Sequence, residues 1–140
     1  MTLKNTDIYD ITISNHQTID DDTDVIEEKN TGSYCIKNGK AYIIYKSADN
    51  GSEISSTVIV SDDGIKIKRR GAVNADMIYK KNVKTSFMYR IPYGAMEMEI
   101  ETLRIVNALG ENGGDLRIIY TLAVQGEKYY NNMKITVVKR

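Results

Sequence analysis

Apolar and polar residues alternate along almost the whole chain, in short runs separated by turn residues. The runs are rich in Ile, Val, Thr and Tyr, which favour pleated strands with one buried face. Turn residues recur at Asn38-Gly39, Asn50-Gly51, Asp62-Asp63-Gly64, Pro92-Tyr93-Gly94, Gly110-Glu111-Asn112-Gly113-Gly114 and Gly126. This pattern predicts an all-β fold.

Ten strands are predicted, with an acidic connection from Ile19 to Asp24 between the first two. They are Thr6–Thr18, Val25–Lys37, Lys40–Ser47, Glu53–Ser61, Gly64–Arg70, Val73–Lys81, Val83–Ile91, Ala95–Leu109, Asp115–Val124 and Lys128–Val138. Short connections imply antiparallel neighbours, and a meander of this length avoids exposed edges by closing on itself. We therefore expect residues 1–140 to form a single domain, a closed antiparallel up-and-down β-barrel of about eight to ten strands, a size that can enclose one small ligand.

One segment also has helical spacing. Ile100, Leu103, Val106 and Leu109 recur at intervals of three residues. Directly before them, Met96, Met98 and Ile100 alternate with glutamates, which is the period of a strand. The first half of Met98–Leu109 is therefore predicted as strand.

Composition and charge narrow the function classes. The single cysteine, Cys35, excludes an intrachain disulfide, and neither a signal peptide nor a long apolar run is visible, so we expect a cytoplasmic protein without a membrane partner. The net charge is zero, although six acidic residues cluster between Asp20 and Glu28 and eight basic residues between Gly64 and Arg90. Overall neutrality and the lack of an aromatic-interleaved RNA motif argue against a nucleic-acid partner.

No catalytic or metal-binding constellation is visible. Any triad would have to pass through His16, the only histidine, which stands beside Asn15 and Gln17 at a strand end. Alternate aspartates from Asp20 to Asp24 match the opening of a calcium loop, but Val25 and Thr31 stand where that loop needs glycine and glutamate. We expect no enzyme activity, no cofactor and no metal site.

Arg69 is the most informative polar residue. It shares a strand face with Ile65 and Ile67, so an interior isoleucine face would carry a guanidinium into the barrel or to its mouth. Alternatively, Arg69 reaches water from the strand end. With Tyr79 and Tyr89 as further polar anchors, it is a candidate ligand-binding residue.

Glu97, Glu99 and Glu101 share one strand face, and the turn at Pro92-Tyr93-Gly94 decides which face that is. A three-residue loop, which the proline and glycine favour, places Tyr89 opposite Glu97 and Phe87 opposite Glu99. A two-residue loop places these aromatic residues opposite Met96 and Met98. A one-residue slip reverses every side chain, so Glu97 and Glu99 are retained as candidate ligand-binding residues.

The segment Arg69-Arg70-Gly71-Ala72-Val73-Asn74-Ala75-Asp76-Met77, followed by Pro92-Tyr93-Gly94 and the Glu/Met strand, resembles the YwiB-like proteins of Gram-positive bacteria. The resemblance runs from the Ile-Thr-Ile strand at the start to the Asn-x-x-Lys-Ile strand at the end. It implies a lipocalin-like (calycin) barrel in the cytoplasm and brings no catalytic residues.

Two function hypotheses follow from this fold. In the first, the barrel binds a small anionic or amphipathic ligand through Arg69 and nearby tyrosines. In the second, the barrel is a structural or protein-interaction module whose interior is filled by its own side chains and whose outer face meets a partner or a second copy in a homodimer.

Overall fold

The computed structural model describes residues 7–49 and 51–140, without the side chain of Asp49. It contains ten strands: β1 (Tyr9–Ile19), β2 (Asp22–Lys37), β3 (Lys40–Asp49), β4 (Ser52–Ser61), β5 (Gly64–Gly71), β6 (Ala75–Tyr79), β7 (Lys84–Ile91), β8 (Gly94–Gly110), β9 (Gly113–Val124) and β10 (Glu127–Lys139). These strands confirm the all-β prediction. The predicted start of the first strand, Thr6, and the turn residue Asn50 lie outside the described residues.

All ten strands form one antiparallel sheet that curls into a nearly closed barrel. The strand order is β6-β5-β4-β3-β2-β1-β10-β9-β8-β7, so β1 pairs with both β2 and β10. We call the end that carries the turns after β1, β3, β5, β7 and β9 the upper end, and the opposite end the lower end. Among the described residues the structure has no helix of the length and apolarity needed to cross a membrane.

The barrel closes where β6 meets β7. One antiparallel bridge joins Asn74 to Arg90, with N···O distances of 2.9 and 3.0 Å. Further along the seam, Thr85 Oγ1 donates a hydrogen bond of 2.7 Å to the carbonyl of Ile78. Closure therefore depends on a few contacts rather than on a continuous ladder.

A second discontinuity separates the upper parts of β2 and β3. The two strands pair only from Gly32–Lys37 to Lys40–Tyr45, starting from a type I′ turn in which Asn38 and Gly39 have positive φ angles of 53° and 77°. Above Gly32, β2 keeps only β1 as a neighbour, and its residues 22–29 are exposed. The upper wall of the barrel is thus open on this side.

The acidic connection is shorter than predicted. β1 and β2 continue their pairing as far as Ile19 and Asp22, which leaves only Asp20 and Asp21 in the turn. Asp20 adopts a positive φ of 54°, a conformation that aspartate tolerates. Because this hairpin extends into solvent, its aspartates can lie on a strand without being buried.

The isoleucine face of β5 points inwards, which is the orientation that carries Arg69 to the barrel interior. Ile65 and Ile67 are buried in the core, and the alternation places Arg69 on the same face. The lower half of the barrel is filled by fully buried side chains such as Ile11, Ile43 and Leu116. Tyr34 closes this end, since its hydroxyl donates a 2.6 Å hydrogen bond to the carbonyl of Gly110 across the barrel.

The segment with helical spacing is a strand, β8, that contains a β-bulge. The register against β9 shifts between Thr102 and Arg104, so Leu103 is an extra residue and 41 % exposed. The inward series that ends at Thr102 resumes at Ile105, three positions later. The bulge lets Ile100 and Leu109 both face the core, although an unbroken strand would place them on opposite faces, whereas Leu103 and Val106 of the helically spaced series are exposed.

The hairpin at Pro92 adopts the two-residue loop. Tyr89 pairs with Met96 and Phe87 with Met98, while Glu97 and Glu99 pair with Met88 and Ser86. Burying an apolar side chain is worth about 1.5–3 kcal/mol, and the other register would also have turned two carboxylates inwards. The free energy gained by burying apolar side chains and leaving the carboxylates in solvent therefore outweighs the preference of Pro92 and Gly94 for a three-residue loop.

Candidate functional site

The upper half of the barrel contains a cavity of about 370 Å³. Its wall is mostly apolar, with Met77, Phe87, Met98 and Leu122 among the lining side chains. Three strongly polar side chains also line it, namely Asn15, Glu28 and Arg69. Ile26 belongs to the lining and is 54 % exposed, so the cavity reaches solvent beside the upper part of β2. We call this opening, lined by Ile26 and Glu28, the mouth.

Arg69 is held in the cavity by β5, where its backbone lies between Ser56 of β4 and Ala75 of β6. The residue is half-buried, and its Nε is fully buried without a hydrogen-bond acceptor among the described residues. The ion pairs of the described part of the chain do not include Arg69. The guanidinium is therefore a cation inside the barrel that lacks a carboxylate partner there.

Three tyrosines surround this cation. The rings of Tyr79 and Tyr120 pack edge to face, with their centroids 5.0 Å apart. Tyr45 lies close enough to Arg69 for the charge of the guanidinium to act on its phenol. Burial raises the pKa of all three phenols, of Tyr79 well above its usual value, while the charge of Arg69 opposes the rise. The phenols therefore remain neutral, and the charged groups that act on Tyr45 are Arg69 and, more weakly, Glu28.

The raised pKa of Tyr79 predicts a loss of stability in alkali. An unfolded tyrosine releases its proton near pH 10, whereas folded Tyr79 keeps its proton to a higher pH. The stabilisation of the folded state by neutral Tyr79 is therefore complete below about pH 10. Above that pH the free energy of unfolding falls by about 1.4 kcal/mol per pH unit. Urea unfolding of the wild type and of Tyr79→Phe, from neutral to alkaline pH, measures how the free energy of unfolding declines in each protein. We expect a shallower alkaline decline in the variant, and equal slopes would contradict the assignment.

A network of side-chain amides lies beside the mouth. Asn15 and Gln17 donate hydrogen bonds of 3.0 and 2.9 Å to Oδ1 of Asn131, whose own Nδ2 donates to the carbonyl of Tyr129. This network fixes the orientation of the Asn15 amide. Its Oδ1 is fully buried and accepts no hydrogen bond from a described residue.

Glu28 stands next to this network on the inward face of β2. Asn30, on the same face, donates a 2.9 Å hydrogen bond to Glu28 Oε1. The carboxylate is exposed to solvent and also lines the cavity, so it lies at the mouth. The cavity is thus lined by the guanidinium of Arg69 on β5 and by the side-chain oxygens of Asn15 on β1 and Glu28 on β2.

The structure brings together three of the five candidate residues from the sequence. Arg69, Tyr79 and Tyr89 all line the cavity. Glu97 and Glu99 are exposed on the outer face of β8, as the two-residue hairpin loop requires, and do not reach it. Among the described residues, no group of three His, Cys, Asp or Glu side chains is arranged to hold a metal ion.

Comparison with known proteins agrees with this architecture. A family model described as "Domain of unknown function (DUF1934)" matches residues 11–136. The chain belongs to the DUF1934 family. It is 30 % identical over 129 residues to "Uncharacterized beta-barrel protein YwiB" of Bacillus subtilis (strain 168), covering 90 % of this chain and 91 % of that protein. The predicted resemblance to YwiB-like proteins is therefore confirmed.

A solved structure shares the DUF1934 barrel seen here. The "Crystal structure of ywiB protein from Bacillus subtilis" superposes with a TM-score of 0.89 at 25 % identity, over 96 % of this chain and 92 % of that one. The fold is thus that of a known β-barrel family.

Three polar residues of this DUF1934 cavity were missed by sequence reasoning, namely Asn15, Glu28 and Tyr120. Glu28 has the same strand phase as the inward residues Ile26 and Tyr34, which is the signal that could have found it. It was hidden in an acidic segment that was interpreted only as solvated charge. Asn15 and Tyr120 continue the inward alternation of β1 and β9, but only the barrel shows that they approach Glu28 and Arg69.

Proposed function

We propose that this protein binds a small amphipathic anion in the upper half of its barrel, with Arg69 as the anchor for the anionic group. The observation that carries the proposal is the guanidinium of Arg69, which lines the cavity with its Nε buried and no carboxylate paired to it among the described residues. A buried charge without a partner is costly, and a carboxylate or phosphate of a ligand supplies the missing acceptor.

The remaining wall fits the apolar part of such a ligand. Methionine, phenylalanine, isoleucine and leucine side chains line most of the cavity. Small-molecule sites are commonly apolar pockets of about 300–1,000 Å³ with a few placed polar groups, and this cavity falls at the lower end of that range. Flexible methionines also adapt to ligands of different shapes.

The experiment compares octanoate with octanol, which has the same chain length and no charge. Isothermal titration of the wild type should show tighter binding of octanoate. We expect Arg69→Gln to weaken octanoate binding by about 10- to 100-fold, the worth of a hydrogen bond to a charged group, and to leave octanol unchanged. Lys68→Gln is the matched control, because it removes a cation from the outer face of the same strand. Equal octanoate affinity in the wild type and Arg69→Gln would contradict the proposal.

A second candidate is a protein-interaction barrel. The filled lower half of the barrel and the unpaired upper edge of β2, with Val25 62 % exposed, favour it. In that case the chain would self-associate or bind a partner without any small molecule. Sedimentation over a range of concentrations tests self-association, and a strict monomer that binds octanoate would favour the first candidate.

A further inference from the structure

The two acceptors at the mouth are neighbours on one face of the sheet. β1 and β2 pair Asn15 with Ile26 and Ile13 with Glu28, and all four residues line the cavity. Asn15 and Glu28 are therefore diagonal neighbours, a relation that separates residues by about 7–8 Å. A ligand at the mouth would therefore lie beside both side chains.

Both acceptors have unused capacity and fixed orientation. Oδ1 of Asn15 is buried without a donor, and the contact with Asn131 fixes its amide. Glu28 Oε1 accepts from Asn30, while no described residue donates to Oε2. An ammonium group carries three donors and a positive charge, so it matches an amide oxygen and a carboxylate together.

Arg69 lies on a different part of the wall. Three strands, β2, β3 and β4, separate β5 from β1 in the sheet order, so Arg69 and Asn15 approach the cavity from different sides. Arg69 and Glu28 form no ion pair with each other. The cavity therefore carries a guanidinium and a carboxylate that are not paired with each other, although both charges act on the phenol of Tyr45.

We infer that the ligand is a zwitterion, with its anionic group on Arg69, an ammonium group at Asn15 and Glu28, and an apolar spacer between the two. This inference rests on the proposed function, because it assigns the second pole of the same site. It also gives selectivity, since Glu28 repels the free end of a dicarboxylate and attracts an amine.

The test uses hexanoate, octanoate and decanoate, their omega-amino derivatives, and the matching dicarboxylates. We expect one omega-amino acid to bind the wild type about fivefold more tightly than the carboxylate of equal length, because Glu28 is solvent-exposed and contributes modestly. Glu28→Gln should remove this advantage. Glu28→Lys should reverse the ranking, so that the dicarboxylate binds better than the omega-amino acid. Glu27→Lys, the neighbouring acid on the opposite face of β2, should keep the wild-type ranking.

The outcomes separate this inference from the proposed function. If plain carboxylates bind through Arg69 but the amine gives no advantage, or Glu28→Lys keeps the wild-type ranking, the anion site stands and the zwitterion is wrong. If no probe binds, both are wrong. If the stability effects of Arg69→Gln and Glu28→Gln in the ligand-free protein are strongly coupled, the two charges interact with each other, and the inference is overturned.

Discussion

Arg69→Met is expected to stabilise the ligand-free protein by about 1–3 kcal/mol while it removes binding of the anion. Arg69 Nε is buried without an acceptor in the described structure, and such a group costs about that much in folding. Methionine has a flexible apolar side chain of similar length and suits a wall that already contains Met77, Met98 and Met133. Urea unfolding measures the gain in stability, and titration with octanoate measures the loss of binding.

A matched control separates this effect from a general effect of removing charge. Lys68→Met changes the outer face of the same strand and should alter the free energy of unfolding by no more than about 0.5 kcal/mol. A loss of stability in Arg69→Met would contradict the prediction, because it would show that the guanidinium holds the barrel together. A gain would mean that Arg69 is retained at a cost to folding, as is common for binding residues.

Gly32→Val is expected to destabilise the barrel by about 3 kcal/mol, which is a large effect for one substitution. A Cβ at Gly32 would overlap the carbonyl oxygen of Ile44 and lie 2.9 Å from Cδ1 of Ile11 and 3.0 Å from Cβ of Tyr45. The carbonyl belongs to the backbone of β3, so it cannot rotate away as a side chain can. Gly32 is also the last point at which β2 and β3 pair, so the overlap would push the two strands apart.

Two further variants keep this prediction measurable if the valine variant does not fold. Gly32→Ala adds only the Cβ and should lose a smaller but clear amount of stability in urea unfolding. Gly94→Ala is the control, because a Cβ there meets nothing within 4 Å and the backbone does not need a positive φ. A Gly32→Ala variant as stable as Gly94→Ala would show that the close approach of β2 and β3 is not needed.

The strand pattern was readable from the sequence because each strand has one buried face. Ile65 and Ile67 alternate with lysines, and this alternation alone placed Arg69 on the same strand face as the two isoleucines. Asn38-Gly39 set the register of β2 and β3 because few other residue pairs tolerate two positive φ angles. Such information lies within a few neighbouring residues, so it does not depend on the rest of the chain.

Other features were decided only by how the strands pair and what they bury. The register at Pro92 followed from the burial of Phe87 and Tyr89 against Met96 and Met98, which a local turn rule cannot weigh. The extra residue at Leu103 became visible only when β9 was paired with β8. Glu97 and Glu99 consequently belong to the outer surface, although the turn residues favoured the opposite face.

The sequence by itself determined the all-β fold, the order of the strands and which residues of β5 share a face, because side-chain alternation is a local property. The tertiary structure decided where the wall opens between β2 and β3 and which polar groups meet inside. Arg69 and Asn15 are 54 positions apart in the sequence (69 minus 15) and lie on strands that are not paired with each other. Only closure of the sheet brings them to one cavity, since curvature and register accumulate over all ten strands.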